Sequence, residues 1–481
     1  MLTRRLTPGA TPAKEFVMRP SRFFVVMLSL SVLAIAPASV AQTVKTVTSF
    51  SSTTGQYPAE VVLTQGRDGN TYGTTARGGT AGFGVVFKQR TAGSGNVVLH
   101  NFSGPDGEGP QGGVLLAQDG NYYGSAVSGG TYGYGVLFKI TSSGTLTVLY
   151  NFSNGSDGSY PTSPPIQGTD GNFYGTTNGD YLIGSVLYTL TAVGSFSTIY
   201  TFDTANGRNP IAPPLQSTDG SLYVAAITGG AYGCGAVLRL TTAGVLKAAR
   251  SFDCGAGGAT PIGPLVQAAD GNIYGTTQVG GRHGEGTIFK INGTTGLFTT
   301  VYSFGATPTD GQQPLSGLTQ GTDGNLYGTT VIGGKAGAGS IFELSGSGVY
   351  SQVYSFPAVG GVTQQQPEAA PMQSTTGTFY GVTYQGGANG LGSVYTLNAG
   401  LGPFVTFVGS QGRVGQTAQI LGQGLTGTTS VTFNGVPAAT FKVFADTYMT
   451  AVVPSGATTG KVVVTTPGGA LTSNVNFRVV N

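Results

Sequence analysis

Histidine is too scarce in this sequence for most metal and general-base chemistry. Only His100 and His283 occur, far apart in the chain, whereas a zinc site needs several His, Cys or acidic ligands together. The motifs H-E-x-x-H, G-x-S-x-G and G-x-x-x-x-G-K-[ST] are absent. The sequence therefore lacks the common signatures of metalloproteases, of hydrolases and of phosphate-binding loops. We therefore predict no catalytic residues, no metal site and no cofactor.

Carboxylates are the next candidates, because a glycosidase needs a pair of them. Six aspartates recur at nearly equal spacing, each followed by glycine: Asp68, Asp119, Asp170, Asp219, Asp270 and Asp323. This pattern is typical of structural turns, in which the aspartate side chain accepts hydrogen bonds from nearby backbone amides. Four other carboxylates lie in loops between repeats: Asp106, Glu108, Asp157 and Asp310. Calcium takes about six to eight oxygens, and each loop offers only one or two carboxylates, so calcium is the minor alternative.

Cys234 and Cys254 are the only cysteines. In an exported chain, two cysteines favour a disulfide. Cys234 lies between the second and third predicted strands of its repeat, and Cys254 follows the fourth strand. In a four-stranded meander those two loops emerge on the same face, so we predict a disulfide between them. Two separate thiols are the alternative.

A repeat of about 50 residues organises these side chains. The turn Asp-Gly-Asn occurs five times, once as Asp219-Gly220-Ser221 and once in the degenerate form Thr376-Gly377-Thr378, at spacings of 49 to 53 residues. Each of these seven copies, numbered here in chain order, has an apolar stretch before the turn and an aromatic-Gly-Thr-Thr run or its variant after it. A glycine-rich loop and two further strand-like runs follow.

The residue pattern within a copy predicts strands. Asp-Gly allows both central residues of a tight hairpin turn to take positive φ, which matches strand twist. Phe138 and Ile140 alternate with Lys139, which is the period of a strand. Glycines at intervals of about 8 to 12 residues would interrupt helices. Four antiparallel strands in each of seven copies predict an all-β fold, a seven-bladed β-propeller of four-stranded blades.

The segment before the first copy predicts how the ring closes. The last strand of each copy ends in a recurring phenylalanine, and residues 43–50 match that strand although no copy precedes them. The seventh copy ends near Asn398, before a fourth strand. We therefore expect residues 44–50 to supply the outer strand of the last blade. An open β-solenoid, in which the two ends do not meet, is the alternative.

From about Gly402 the repeat stops, and residues 402–481 read as a separate β unit. Seven short runs predict strands that would form a small immunoglobulin-like β-sandwich without cysteines. They are 404–408, 417–421, 430–433, 439–443, 448–453, 461–466 and 474–479.

The N-terminus has the composition of a Sec-type signal peptide. Arg19 and Arg22 precede an apolar run over 23–36, and Ser39-Val40-Ala41 offers small residues for cleavage after Ala41. An uncleaved anchor is the alternative, and Met18 competes with Met1 as the start. Beyond residue 41 the chain has 17 basic and 18 acidic residues, so we predict no nucleic-acid partner. We assign 1–41 to the signal and 42–400 to the propeller.

Two families resemble parts of the chain. The repeat, written DGNxYGTT…GG…G…VFK…LYxF, resembles the GloVer tandem repeats of exported bacterial proteins. Residues 433–438, Val453-Pro454 and 465–469 resemble an IPT/TIG domain, which has an immunoglobulin-like fold. The resemblance implies a secreted or cell-surface bacterial protein and brings no established activity for the repeats. The third copy departs from the pattern, because Asn178-Gly179-Asp180 replaces its Gly-Gly loop.

The loops predict where a ligand would bind. Loops between strands two and three and between blades vary among copies, whereas the opposite face carries the uniform Asp-Gly turns, and function usually lies in variable loops. The candidate binding residues on this variable face are Tyr132, Tyr134, Tyr181, Tyr232, Arg282 and His283. Tyrosines there could stack on sugars or peptides, or pack against neighbouring loops.

Three functions are compatible with these features. The first is a non-catalytic extracellular or surface protein that binds an extracellular polysaccharide or a surface protein through the variable face, with the C-terminal domain as a spacer or adhesion module. The second is a polysaccharide lyase or glycoside hydrolase, which requires carboxylates clustered with Tyr, His or Arg at one end of the channel. The third is a structural surface component. The sequence leaves the ligand and the oligomeric state open.

Overall fold

The computed structural model describes residues 42–91, 95–179, 184–358 and 365–480. The predicted signal, 1–41, lies outside them. The described residues form strands and turns, with no α-helix among them. Within this part of the chain, no helix has the length and apolarity needed to cross a membrane.

Four-stranded antiparallel sheets build the repeat region and give it a propeller-like fold. In the described ranges seven such sheets occur there, one per copy. Their strands, given from the first to the fourth in each sheet, are as follows. Sheet 1 contains Thr64–Gln65, Thr71–Thr75, Val85–Gln89 and Asn96–Asn101; sheet 2, Val114–Leu116, Tyr122–Ala126, Val136–Ile140 and Leu146–Asn151; sheet 3, Ile166–Gln167, Phe173–Thr176, Val186–Leu190 and Phe196–Thr201; sheet 4, Leu215–Gln216, Leu222–Ala226, Ala236–Leu240 and Leu246–Ser251. Sheet 5 contains Val266–Gln267, Ile273–Thr277, Thr287–Ile291 and Phe298–Ser303; sheet 6, Thr319–Gln320, Leu326–Thr330, Ser340–Leu344 and Tyr350–Ser355; sheet 7, Met372–Gln373, Phe379–Thr383, Ser393–Asn398 and Thr43–Ser49. Gly311–Gln312 and Ile332–Gly333 form a separate two-stranded ladder between loops.

Sheet 7 joins the two ends of the repeat region. Thr43–Ser49 pairs antiparallel with Ser393–Asn398, with Val44 opposite Leu397 and Lys45 opposite Thr396. The backbone N–H of Tyr57 then donates to the carbonyl oxygen of Leu391 at 3.0 Å. Successive copies elsewhere make the same kind of bond, for example from Tyr160 to Tyr134 at 2.9 Å.

The Asp-Gly turns differ in one respect from the sequence prediction. Only the glycine has positive φ, as at Gly69 (φ 76°), so the expectation of two such residues is wrong. Gly69 N–H donates to Gly66 O, and Gly66 N–H donates to Asn70 O. This is a longer loop, a type I turn closed by a left-handed glycine, in place of the tight two-residue turn.

Phenylalanines at the ends of the outer strands fill the space between neighbouring sheets. Phe102 is fully buried and meets Phe138 of sheet 2 edge-on, with ring centroids 5.3 Å apart. Phe50, which follows the outer strand of sheet 7, packs in the same way on Phe87 of sheet 1 at 5.1 Å. Burying such a side chain contributes about 1.5–3 kcal/mol, so each sheet depends on its neighbours for stability.

A belt of glutamines joins successive sheets near the Asp-Gly turns. In six of the seven copies described, a glutamine at the end of the first strand accepts a hydrogen bond from a turn amide of the preceding copy, at 2.8–3.0 Å. The glutamines are Gln65, Gln167, Gln216, Gln267, Gln320 and Gln373. Gln65 receives its bond from Thr375 of copy 7 at 2.8 Å. Copy 2 has Leu116 at this position.

The C-terminal residues form further β-sheets. One sheet contains Thr406–Phe407, Thr417–Leu421, Tyr448–Val452 and Phe441–Ala445, and another contains Val436–Pro437, Ser430–Phe433, Val462–Thr466 and Gly469–Thr472. Gln411–Arg413 pairs in parallel with Arg478–Val480. The expected runs missed three of these short strands: Gln411–Arg413, Val436–Pro437 and Gly469–Thr472. Ile420, Phe433, Val462 and Phe477 are among the side chains of their common apolar core.

The C-terminal sheets pack against the Asp-Gly turns of the repeat region. Arg67 donates to Gln419 Oε1 at 2.6 Å and lies over the ring of Tyr448 at 4.7 Å. Val408 and Leu421 belong to one buried apolar cluster with Leu116. Leu116 therefore replaces the glutamine of the belt at the place where apolar side chains of the C-terminal region cover this position. The C-terminal region, expected to act as a spacer or adhesion module, is docked on these turns.

Candidate functional site

The predicted binding residues occupy loops of different copies. Tyr132 and Tyr232 are 59% and 65% exposed, and they hold equivalent places in copies 2 and 4. Tyr134 is half-buried and meets Tyr160 edge-on at 5.9 Å, so it packs against a neighbouring loop. Tyr181 lies outside the described residues. Arg282 and His283 are both exposed and line one groove.

This groove, called the basic groove here, runs between the outer strands of sheets 4 and 5. Its volume is about 630 Å³, and Arg250 lines it together with Arg282 and His283. The Arg250 guanidinium lies over the Phe298 ring at 5.1 Å. Asp253 is the acidic residue in the wall, and its Oδ1 already accepts hydrogen bonds from Gly255 and Gly257 at 3.0 Å. A groove lined by two arginines and an aromatic ring can bind an anion attached to a planar or sugar-like body.

Cys234 and Cys254 form a disulfide beside this groove, with Cα atoms 5.4 Å apart. Cys254 takes a left-handed conformation (φ 63°). The disulfide ties the loop after the outer strand of sheet 4 to the loop between strands two and three of the same sheet. It therefore fixes one wall of the basic groove.

The turn aspartates all bond to their own hairpins. Asp323 is representative: Oδ1 accepts from Asn325 N, and Oδ2 accepts from the Tyr327 hydroxyl at 2.8 Å. Asp219 instead pairs with Arg239 and accepts from Ser221 N. Five of the six carboxylates hold the turn to the buried tyrosine four residues later.

Three of the carboxylates considered for calcium, Asp106, Asp157 and Asp310, also have protein partners. Asp157 accepts from Ser153 and Gly155, and although burial opposes its ionisation, these bonds hold its pKa below the usual value. Asp310 accepts from the hydroxyls of Tyr302 and Tyr350 at 2.8 and 2.9 Å. Asp106 contacts His100 Nε2 at 2.7 Å.

His100 therefore does more than fill a tyrosine position. Its contact with Asp106 corresponds to the bond from Tyr150 to Asp157 in the next copy, at 3.1 Å. Both rings also pack edge-on against the phenylalanine two residues later. The substitution preserves the packing and the hydrogen bond to the loop between sheets.

A central cavity of about 190 Å³ is enclosed by the first strands and the segments that precede them. Every copy contributes to its wall, and most of the wall is apolar. One lining residue from each copy is Val62, Val114, Ile166, Ile211, Ile262, Leu315 and Ala369. Such a concave, mostly apolar site with a few polar groups is the usual form of a small-molecule pocket.

Glu60 and Glu368, the glutamate pair, are the charged side chains in the described cavity wall. The Glu60 backbone amide favours the ionised form of the Glu368 carboxyl group and so lowers its pKa, against two larger opposing effects. Burial raises the pKa of Glu60 to about 7. Burial and then the nearby charge of Glu60 raise the pKa of Glu368 to about 8. Both side chains are half-buried, so solvent reaches them through the cavity.

A pair of tyrosines lies near Glu368, outside the residues that line the cavity. Tyr57 and Tyr384 lie with ring centroids 5.0 Å apart. Burial, followed by the charge of Glu368, raises the pKa of Tyr384, whereas Arg77 acts in the opposite direction. Tyr384 thus connects Glu368 to Tyr57 and Arg77, whereas burial alone shifts the pKa of Glu60.

Sequence reasoning missed the glutamate pair, although a signal was present. Gln65 stands seven positions after Pro58, whereas Gln167 stands six positions after Pro161 and Gln373 six after Pro367. Copy 1 therefore has one extra residue before its first strand. Glu60 has a left-handed backbone (φ 51°) within this lengthened segment, and such strain in a non-glycine residue is often found at functional sites.

The comparisons with known proteins identify the repeat and the fold. The sequence model of the Gloeobacter/Verrucomicrobia repeat matches residues 32–214 and 178–395. A comparison with curated proteins gave no match.

Solved structures resemble the fold at low identity. A fungal alcohol oxidase of the AA5 family, in complex with copper, is 14% identical, with a TM-score of 0.51 over 89% of this chain and 98% of its own. An oligogalacturonate lyase from Vibrio parahaemolyticus is 11% identical, with a TM-score of 0.46 over 75% of this chain and 97% of its own. The likeness to the oxidase fold covers 89% of this chain, which is more than residues 1–400 alone could supply. It therefore includes residues of the C-terminal region.

Proposed function

We propose that this chain, which belongs to the Gloeobacter/Verrucomicrobia repeat family, is an exported binding protein built on a closed seven-bladed propeller. The pairing of 43–49 with 393–398, the Gln65 to Thr375 bond and a cavity lined by all seven copies support closure. We assign the C-terminal sheets to an IPT/TIG-like immunoglobulin fold that covers the turn face. The signal-like residues 1–41 support secretion or surface placement.

The ligand of this binding function is an acidic extracellular polysaccharide. The basic groove carries the proposal: Arg250, Arg282 and His283 meet beside Phe298 in a chain that otherwise has few charges. Guanidinium groups bind carboxylates or sulfates through paired hydrogen bonds. The apolar face of a sugar ring can pack against Phe298. Because the C-terminal region covers turns on the opposite face, the groove stays free.

A glycan array with residues 42–481, followed by affinity measurements, tests this function. We expect binding to uronate or sulfated polysaccharides in preference to neutral glucans, with affinity that falls as salt rises. The double variant R250A/R282A should lose at least about tenfold in affinity. K335A is the matched control, because Lys335 is exposed at the position in copy 6 that Arg282 occupies in copy 5. Equal binding of neutral glucans, or no effect of R250A/R282A, would contradict the proposal.

A polysaccharide-acting enzyme is the second candidate function. The glutamate pair favours it, since two carboxyl groups with raised pKa values line one cavity and one of them, Glu368, lies near Tyr384. Groups that titrate near neutral pH suit general acid-base catalysis. Release of reducing ends from a polysaccharide, abolished in both E60Q and E368Q, would establish this alternative. Absence of both binding and turnover would favour the structural surface component.

A further inference from the structure

The central cavity contains acidic groups without a matching cation. Glu60 and Glu368 line it, and no Lys, Arg or His belongs to its described wall. Taking a carboxylate out of water is costly unless a counter-charge or hydrogen bonds compensate. The Glu60 backbone amide is the one group that favours the ionised form of the pair, and it acts on Glu368.

A second polar group in the same cavity also lacks a partner. Ser163 lines the cavity and is 4% exposed. Its Oγ has no hydrogen-bond partner among the described residues. Buried hydroxyls are normally satisfied, and an exception calls for a bound molecule or another specific explanation. This serine is independent of the glutamates, because it comes from copy 3 and they come from copies 1 and 7.

The chain also accepts backbone strain to place the pair. The extra residue in copy 1 and the positive φ of Glu60 occur where the glutamate enters the cavity wall. A left-handed conformation costs a non-glycine residue about 1–2 kcal/mol. In other copies the left-handed non-glycine residue of this segment directly precedes the proline, as at Thr260 and Gln313. Copy 1 has Tyr57 in that place and Glu60 in addition.

We propose that the central cavity binds a small organic ammonium ion, whose charge pairs with Glu60 and Glu368 and whose carbon chain contacts the apolar wall. A cavity of about 150 Å³ can hold a benzene-sized molecule, and this one is about 190 Å³. Ser163 Oγ is available to accept a hydrogen bond from an ammonium N–H or from a bridging water.

The wall distinguishes this ligand from a metal ion. Calcium prefers about six to eight oxygen ligands, whereas Val62, Ile211 and Leu315 present carbon atoms to the cavity. An alkylammonium ion needs only a few hydrogen bonds and gains from apolar contact. This inference concerns a site separate from the basic groove and does not depend on the polysaccharide proposal.

Calorimetric titration of residues 42–481 with n-butylammonium chloride tests the inference. At pH 8.5 we expect one site per chain. At pH 5.5 affinity should fall at least tenfold, because protons then compete for the pair. Tyr384 is another titratable group near Glu368, and Tyr57 and Arg77 lie near Tyr384. 1-Butanol, a neutral molecule of similar shape, should bind at least tenfold more weakly.

Glutamine variants assign the site. E60Q and E368Q keep side-chain volume and should each weaken butylammonium binding at least tenfold at pH 8.5, while E108Q, outside the cavity, should leave it unchanged. Melting curves show whether the variants are folded, and the pH dependence of the unaltered chain gives an answer independent of them. No binding at millimolar butylammonium, equal affinity in E60Q/E368Q, or stronger binding of calcium than of butylammonium at the same residues would overturn the inference.

Discussion

At the scale of single residues, the glutamate pair makes folding stability depend on pH. In the unfolded chain a glutamate has its ordinary pKa of 4.5. In the folded protein the pKa is about 7 for Glu60 and about 8 for Glu368. Between these values the folded state holds more protons than the unfolded state. The stability that the glutamate pair contributes is therefore fully present below about pH 4.5, and it is lost as the pH rises through the pKa values of the folded state.

We predict that urea unfolding will show lower stability at pH 8.5 than at pH 5. The contribution of the pair should be on the order of 1–2 kcal/mol, allowing for partial solvent exposure. In the double variant E60Q/E368Q this contribution should disappear, because neither side chain titrates. A pH dependence that stays the same in the double variant would show that other groups cause it.

The turn aspartates and the glutamate pair show what sequence patterns can reveal about single residues. Asp323 and its equivalents recur in one context, so the repeat itself predicts that they support turns. Glu60 and Glu368 each occur once, in copies far apart in the chain. Only the closed arrangement of sheets brings them together, and their environment follows from burial that no local pattern encodes.

At the scale of elements, Gln65 tests whether the joint between copies 7 and 1 is equivalent to the other joints. Its Oε1 accepts from Thr375 N, and its Nε2 donates to Thr375 Oγ1, both at 2.8 Å and both buried. The corresponding bond from Thr169 N to Gln216 is solvent-exposed. A buried donor left without a partner costs about 1–3 kcal/mol, whereas an exposed one turns to water.

We therefore predict that Q65L will lower the free energy of unfolding by about 1–3 kcal/mol and that Q216L will lower it less. Leucine is a fair replacement, because copy 2 already has Leu116 at this position. Chemical denaturation of the two variants side by side gives the comparison. If Q65L were as stable as the unaltered chain, residues near 65 and 375 would not meet in solution.

Strand types and order within a copy could be predicted from sequence because they depend on local patterns. The turn after Gly66 shows the limit of local patterns. Asp-Gly indicated a hairpin, but the type of its turn is set by an additional loop residue, which depends on hydrogen bonds between Gly66 and Asn70. The two-residue strand Val436–Pro437 was also missed, since so short a strand carries no period. Docking of the C-terminal sheets was not predictable, because it depends on contacts between distant residues.

At the scale of the whole molecule, the C-terminal region and the turn face form one packed structure. Arg67 connects them through Gln419 and Tyr448, and Thr447 Oγ1 donates to Arg67 O at 2.6 Å. The described residues 42–480 fall within a single compact unit. The variable face therefore points away from a face that the C-terminal region partly covers.

We predict that R67A will loosen this docking and destabilise the chain by about 1–3 kcal/mol. Hydrogen–deuterium exchange should rise in peptides that contain 404–425 and 440–453. R239A is the matched control, because Arg239 also pairs near an Asp-Gly turn, but in copy 4, which lacks the C-terminal contacts described for Arg67. Equal exchange in both variants would mean that Arg67 does not hold the two regions together.

Closure of the repeat region by its N-terminal strand is the claim on which the cavity and the glutamate pair depend. Lys45 and Thr396 lie directly opposite each other across the closing strands, so their side chains share one face. In K45C/T396C, mild oxidation should join the two new cysteines within one chain, and peptide mass spectrometry would identify the link. T46C/T396C is the control, because those side chains point to opposite faces and should remain unlinked. Free thiols, or links only between chains, in K45C/T396C would contradict a closed ring.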